Sequence, residues 1–365
     1  MNKIKILHLY KTTYLDSFGG IENFLFDICN HDVYINKKIQ VYILAFTKKQ
    51  KSIKVKKVGK VIFILVPYFF IFRSLPISIK YILCFFKIKK KFNIFHIHYP
   101  FPYSDLLSYF INKKIIITYH SDIISQKYTK LLFIPFRNLL FKKAKHIFFT
   151  SETYLKYSDL PIKFKSKSNY INLSLNEKKF DYIESKLNFK KPYEKYFLFI
   201  GNFRNYKGLD LLIESFNSID ANLVIAGSEK ISKNKIKNLV LKNNIKVITN
   251  LSDDFKNYLL KNSFCLILPS TLRSEAFGYV LLEASFYSKP LITFQINTGV
   301  NEINLNNYTG LVCENINATS LINAIKKLDE NFNLAITLGQ NAKKHYEKNF
   351  SYDHMILKYI ESYFN

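Results

Sequence analysis

The sequence predicts an α/β protein built from two doubly wound Rossmann-like domains facing each other across a cleft. Three observations carry that expectation. Short, nearly continuous apolar runs alternate with stretches of helical spacing from end to end, as strands buried on both faces of a parallel sheet require. The alternation occurs twice, with the polar segment 176–195, NEKKFDYIESKLNFKKPYEK, between the two sets. The chain has 365 residues, 48% of them hydrophobic, which is too long for one ordinary core and apolar enough for two.

The first set has strand candidates at 4–9, 40–46, 61–66, 93–98, 115–119 and 146–150, each followed by a helical pattern or a polar loop. The second has FLFIG (197–201), LVIAG (223–227), KVITN (246–250), CLILP (265–269), LITF (291–294) and GLVC (310–313), with helical spacing at 208–218, 253–262 and 278–288. Past Cys313 the pattern is helical to the end. The expected domains are 1–185 and 186–350, with 351–365 packing back onto the first. The most apolar stretch, 61–86, is interrupted by Arg73 and Lys80 and divided by Pro67 and Pro76. A membrane-spanning helix wants about 20 uninterrupted apolar residues, so a buried strand and then an amphipathic helix is expected here.

Basic residues number 54 against 27 acidic ones, a net charge of +27. Residues 1–190 hold 34 basic and 11 acidic residues, and residues 191–365 hold 20 and 16. The excess belongs to the first half, which points to an anionic partner there, nucleic acid or an anionic membrane surface. No RNP, KH or helix-turn-helix signature accompanies the charge, so nucleic acid is not expected. The four cysteines, Cys29, Cys84, Cys265 and Cys313, form no CxxC pair. That excludes a zinc ribbon and suits a reducing compartment. Residues 3–9 are too short for a secretory signal, and a cytoplasmic location is expected.

Three motifs carry chemistry. RSEAFGYVLLEA (273–284) follows a strand and opens a helix near Gly278. Gly278 permits close backbone approach, and the helix start offers free N–H groups to a phosphate. Glu275 and Glu283 are acceptors suited to ribose or sugar diols. FLFIGNFRNYKGLDLLIESF (197–216) places Arg204 and Lys207 in a loop before a helix, a phosphate-holding arrangement. LYKTTYLDSFGGIENFLFDI (9–28) sets Gly19-Gly20 before a helix, where backbone can approach a ligand. Among the histidines, His120 lies just past a strand end and suits a cleft residue. His96 and His98 point to one face of a strand, but no carboxylate-rich cluster or Asp-x-Asp triplet accompanies them, and no metal is expected.

These strings together resemble the family 4 glycosyltransferases, retaining enzymes of the GT-B fold. The EX7E pattern stands as Glu275 and Glu283, the diphosphate-loop KG as Lys207-Gly208, the GG as Gly19-Gly20, and the H-S-D as His120-Ser121-Asp122. The strings YKTTYLDSFGGIEN, YHSDI, YKGLD, RSEAFGYVLLEA, KPLITFQINTGVNEIN and TGLV are similar to those of bacterial mannosyl- and rhamnosyltransferases of polysaccharide assembly.

The resemblance implies a nucleotide-diphosphate sugar, GDP- or UDP-linked, as donor, with mannose preferred, and no cofactor or metal. It implies that Glu283 binds the ribose diol and Glu275 hydroxyls of the transferred sugar. Lys207 and a neighbouring arginine would neutralise the diphosphate, with Gly20 touching it and His120 beside the sugar. Phe277 and Gly278, with Thr298 and Gly299 in the loop from Asn297, would line the pocket. The acceptor would be a lipid-linked saccharide, met by a basic first domain attached to the inner face of the plasma membrane through 51–60 and 69–91. Two positions depart from the pattern. Asn202 stands where the family usually has arginine, so Arg204 must serve instead, and NTGVN replaces the usual GTGTS. A GT-B sugar-nucleotide 2-epimerase would use the same pocket, but EX7E together with YHSDI favours transfer.

Overall fold

A computed structural model of the protein describes residues 3–16, 19–72, 75–123, 127–180, 189–227, 242–249 and 251–365. The chain forms two compact units, 1–171 with 356–365, and 172–355. The expected division at 185/186 lies outside the described residues. Residues 172–180 belong to the second unit because their side chains are spent there. Tyr346 donates to Glu177 at 2.7 Å, and Phe180 packs on Phe286 with ring centroids 5.0 Å apart.

The first unit contains β1 (Ile4–Leu9), β2 (Ile39–Thr47), β3 (Lys54–Val58), β4 (Val61–Pro67), β5 (Phe70–Phe72), β6 (Leu75–Ile77), β7 (Ile94–Tyr99), β8 (Lys114–Tyr119), β9 (His146–Phe149) and β10 (Ser168–Tyr170). Its main sheet has the order β10-β9-β8-β7-β1-β2-β4-β3. Every pairing is parallel except that of β3 with β4. β5 and β6 form a separate antiparallel hairpin. The second unit contains β11 (Phe197–Ile200), β12 (Leu223–Gly227), β13 (Ile245–Thr249), β14 (Cys265–Leu268), β15 (Leu291–Phe294) and β16 (Gly310–Cys313), ordered β13-β12-β11-β14-β15-β16 and all parallel.

Both orders start in the middle, run to one edge, return, and run to the other. This doubly wound path creates a switch point in each unit, between β1 and β7 and between β11 and β14, where ligands of open α/β sheets bind beyond the carboxyl strand ends. β11, β12, β14 and β15 are buried along their whole length, consistent with helices on both faces.

Three features were not legible in the sequence. KVKKV in β3 reads as a basic loop but forms an edge strand, and lysines there deter pairing with another chain. The stretch after β4 adds the β5–β6 hairpin before the expected helix, which spans Ile79–Ile88. The short strand β10 extends the far edge. The helix Tyr352–Phe364 contributes to the first unit from Ile356 onward. Its buried Tyr359 and Tyr363 lie against His96, with Tyr363 Oη 2.7 Å from His96 Nδ1. Among the described residues, no helix is long and apolar enough to cross a membrane.

Candidate active site

In the second unit, the loops after β11 and β14 flank the switch point and are stitched together. The first passes exposed Arg204 and a tight turn, Asn205–Lys207, to Gly208, from which the helix Leu209–Asn217 departs. Gly208 has φ +66°, and a Cβ there would lie 2.0 Å from the carbonyl oxygen of Pro269. Only glycine lets the two loops approach so closely. The amide of Thr271 donates to the carbonyl of Tyr206 at 2.8 Å, closing the contact. The second loop ends at Gly278, φ +79°, where the helix Tyr279–Phe286 begins.

The side chains on these loops form one polar cluster. Lys207 pairs with Glu275 through Oε2, and Ser270 Oγ donates to the same oxygen at 3.1 Å. Lys207 Nζ also lies 5.7 Å from the Tyr206 ring centroid, a cation–π distance. Burial, and after it the Glu275 carboxylate, raises the Tyr206 phenol above its usual range. Glu283, on the helix after Gly278, is buried and accepts from Lys256 Nζ at 2.7 Å. Lys256 sits on the helix Asp253–Asn262, whose start Ser252 caps by accepting from the Phe255 amide at 3.2 Å. Lys256 and Ser270 were not singled out in the sequence. Nothing local marks them, because their partners lie 27 and 5 residues away in a different element or loop turn.

The loop from Asn297 packs against the loop that carries Glu275. Thr298 is buried and its hydroxyl accepts from the Val300 amide at 3.3 Å. The Gly299 amide donates to the Ala276 carbonyl at 2.9 Å, and a Cβ at Gly299 would meet the Phe277 ring at 2.6 Å. Gly299, set against Ala276 and Phe277, therefore braces the Glu275 loop, and Thr298 fixes the turn that follows it. Arg273, through a hydrogen bond to the Asn297 carbonyl, ties the two loops together.

The cradle can hold a diphosphate. Two helices of opposite strand parentage begin at left-handed glycines on neighbouring loops, each leaving its first amides without intrahelical partners. Lys207 adds a full positive charge beside them, and Glu275 and Glu283 supply ionisable acceptors nearby.

In the first unit, Gly19 precedes the helix Gly20–Cys29 and provides no side-chain cap. The Glu22 carboxylate folds back toward Gly19, where it also accepts a hydrogen bond from Thr12. His120 follows β8, is nearly fully buried, and donates its backbone amide to the Tyr99 carbonyl at 2.9 Å. Its Nε2 lies 2.9 Å from His98 Nδ1, and His98 Nε2 lies 2.9 Å from His8 Nδ1. Burial, and after it the Lys11 ammonium, holds the His120 imidazole down at about 3. The nitrogens of His8, His96 and His98 approach within 4.8 Å of one another. His96 spends both nitrogens on Tyr363 and Thr118, and His98 spends both on His8 and His120, so a cation there would have to displace hydrogen bonds. His8, the third member, was not legible in the sequence, because β1 and β7 pair His8 with His96 only in the folded sheet.

Two family models match the chain in tandem, "Glycosyltransferase Family 4" over residues 18–158 and "Glycosyl transferases group 1" over residues 182–345. The chain belongs to the family 4 glycosyltransferases. This glycosyltransferase is 29% identical over 366 residues to the O-antigen chain mannosyltransferase C of Escherichia coli, covering 99% of this chain and 98% of that one. It is 28% identical over 361 residues to the D-rhamnosyltransferase WbpZ of Pseudomonas aeruginosa, covering 95% and 92%. Among solved structures, sucrose-phosphate synthase from Thermosynechococcus elongatus superposes with a TM-score of 0.80 at 17% identity, covering 99% of this chain and 98% of that one. At that identity the likeness speaks for the fold alone. The fold of the glycosyltransferase is GT-B, α/β with parallel sheets in two Rossmann-like domains.

Proposed function

We propose that this glycosyltransferase moves a hexose, mannose by preference, from a nucleotide-diphosphate sugar to a hydroxyl of a lipid-linked saccharide in cell-surface polysaccharide assembly. The observation that carries the reading is the Lys207–Glu275 pair set between two helix N-termini at the switch point. Two relatives matched along nearly their whole length, a mannosyltransferase and a rhamnosyltransferase, support this choice of substrate class.

In this reading the second unit holds the donor. Glu283, held in place by Lys256, accepts from the ribose hydroxyls. A bound diphosphate draws Lys207 from Glu275 and meets Arg204 and the two helix starts. Glu275 is then released to accept from hydroxyls of the sugar. Negative charge moves onto the diphosphate as the anomeric C–O bond breaks, and fixed cations stabilise it where it develops. The charge needed at the leaving group is thus carried by side chains, and no metal is assigned to the reaction.

The first unit receives the acceptor, with His120 beside the transferred sugar and the backbone at Gly19-Gly20 toward the phosphate. The acceptor hydroxyl attacks on the face the leaving group departs from, its proton passes to the departing phosphate oxygen, and the anomeric configuration is retained. Phe69, Phe70, Ile71 and Phe72 are each more than half exposed, as are Ile79 and Leu83 on the next helix. Lys80, Lys87, Lys89, Lys90 and Lys91 surround them in sequence. A surface with insertable aromatics and flanking lysines suits attachment to an anionic membrane carrying the lipid-linked acceptor.

A donor screen that measures nucleoside diphosphate release in the presence of a lipid-linked acceptor tests the proposal. Lys207→Ala should lower turnover by about 10²–10³-fold while leaving the fold intact. Parent turnover in a folded Lys207→Ala protein removes the assigned site.

A further inference from the structure

Three histidines on three neighbouring strands form a continuous hydrogen-bonded row. His8 on β1 reaches His98 on β7, and His98 reaches His120 just beyond β8, each link 2.9 Å between ring nitrogens. All are buried, and the rings stack at 5.3 and 5.2 Å between centroids. A row of neutral imidazoles has only two consistent proton arrangements, because each ring carries one N–H and each link needs one donor and one acceptor. In the first, His8 Nδ1–H donates to His98, His98 Nδ1–H donates to His120 Nε2, and His120 carries its own proton on Nδ1. In the second every proton is reversed, and His120 presents a bare Nδ1.

The two arrangements differ at the far end. His8 Nε2 is buried and makes no hydrogen bond among the described residues. The first arrangement leaves an unpaired lone pair there, and the second an unpaired N–H. Buried N–H groups without an acceptor are the rarer of the two. Burial alone holds His8 at about 3, and the same effect dominates at His96 and His98, so the row is neutral over the working range of pH. His96 stands outside the row, both nitrogens held by Tyr363 at 2.7 Å and Thr118 at 2.8 Å, and serves as its packing wall.

We propose that His8 and His98 are positioning residues that fix the tautomer of His120, so that His120 offers an Nδ1–H donor to an oxygen of the transferred sugar. The inference rests on the placement of His120 beside that sugar and adds what sets its polarity. The buried dead end at His8 decides which way the protons point at the other end, two strands away.

Nitrogen-15 spectra of the full-length protein with labelled histidine read the tautomers directly. The expected result is a protonated Nδ1 and an unprotonated Nε2 at His120. His8→Asp places an acceptor at the position of Nδ1, which reverses the row. Donor kcat/KM should fall about tenfold, the worth of one hydrogen bond, and the His120 proton should move to Nε2. His8→Asn restores a donor at the same position and should restore both readings. A parent spectrum with the proton on Nε2 overturns the proposal, whether or not His8→Asp folds. So does a folded His8→Asp protein with parent kinetics and parent tautomers, or a metal bound stoichiometrically at His8, His96 and His98. His120→Ala separates the two layers: parent kinetics there refute the placement of His120 at the sugar, while the spectrum still decides the tautomer.

Discussion

Glu283 accepts a 2.7 Å hydrogen bond from Lys256, and the pair is mostly buried, with side-chain exposures of 8% and 21%. A carboxylate removed from water needs such a partner to stay ionised. Lys256→Met should therefore destabilise the protein by about 1–3 kcal/mol, through the uncompensated charge left on Glu283. Urea unfolding of the variant measures this. Glu283→Ala should raise donor KM at least about tenfold, for loss of charge-assisted hydrogen bonds to the ribose. Steady-state kinetics at saturating acceptor would show it, and an unchanged KM would remove Glu283 from the nucleotide site.

Gly208→Ala tests the stitching of the two loops. The new methyl group would meet the Pro269 carbonyl oxygen from a left-handed backbone. A loss of about 1–3 kcal/mol in stability is expected, from backbone strain together with the clash. Turnover should fall as well, since Lys207 is the preceding residue. Thermal melts and kcat on the same preparation check both.

Asp105 gives the stability a pH dependence of unusual sign for a carboxylate. It is fully buried, one of its oxygens has no hydrogen-bond partner, and burial raises its folded-state value to about 8, with Arg137 opposing. Its unfolded value is about 4. Between these limits the folded chain holds a proton that the unfolded chain releases, so this contribution favours folding below about pH 4 and is lost as pH rises toward about 8. Asp105→Asn should flatten that slope. Urea midpoints at pH 5 and pH 8, compared between parent and variant, read the difference.

The exposed hairpin of the first unit should carry the protein to anionic vesicles. Binding at low salt should weaken as ionic strength rises, and Phe70→Asp with Phe72→Asp should reduce it further at constant net lysine content. Sedimentation with phosphatidylglycerol vesicles reports both. Equal pelleting of parent and variant would sink the assignment of this face.

The alternation of apolar runs made both parallel sheets legible, because a strand buried on two faces leaves a local signature. The EX7E helix and the KG loop were legible for a related reason: glycine and paired carboxylates keep their spacing within one loop and helix. What stayed hidden depends on approach between elements. Lys256 looks like any helix lysine until its helix packs beside the one bearing Glu283. His8 looks like a strand residue until β1 and β7 come into register. The place of Thr298 in its loop is visible in sequence, whereas the Val300 amide that donates to its hydroxyl is not. KVKKV in β3 has the composition of a basic loop, and only the neighbouring β4 turns it into an edge strand.

Residues 356–365 complete the first unit, closing over His96 and Thr118 through Tyr359 and Tyr363. A chain emerging from the ribosome therefore has every residue of its second unit in hand before the first can finish. Until residue 363 is made, His96 and Thr118 lack that cover, and a fragment of the first 171 residues would be born with this part of its interior open to water and to its neighbours. Such a fragment should collect in inclusion bodies, and supplying 352–365 in trans should restore part of it to solution.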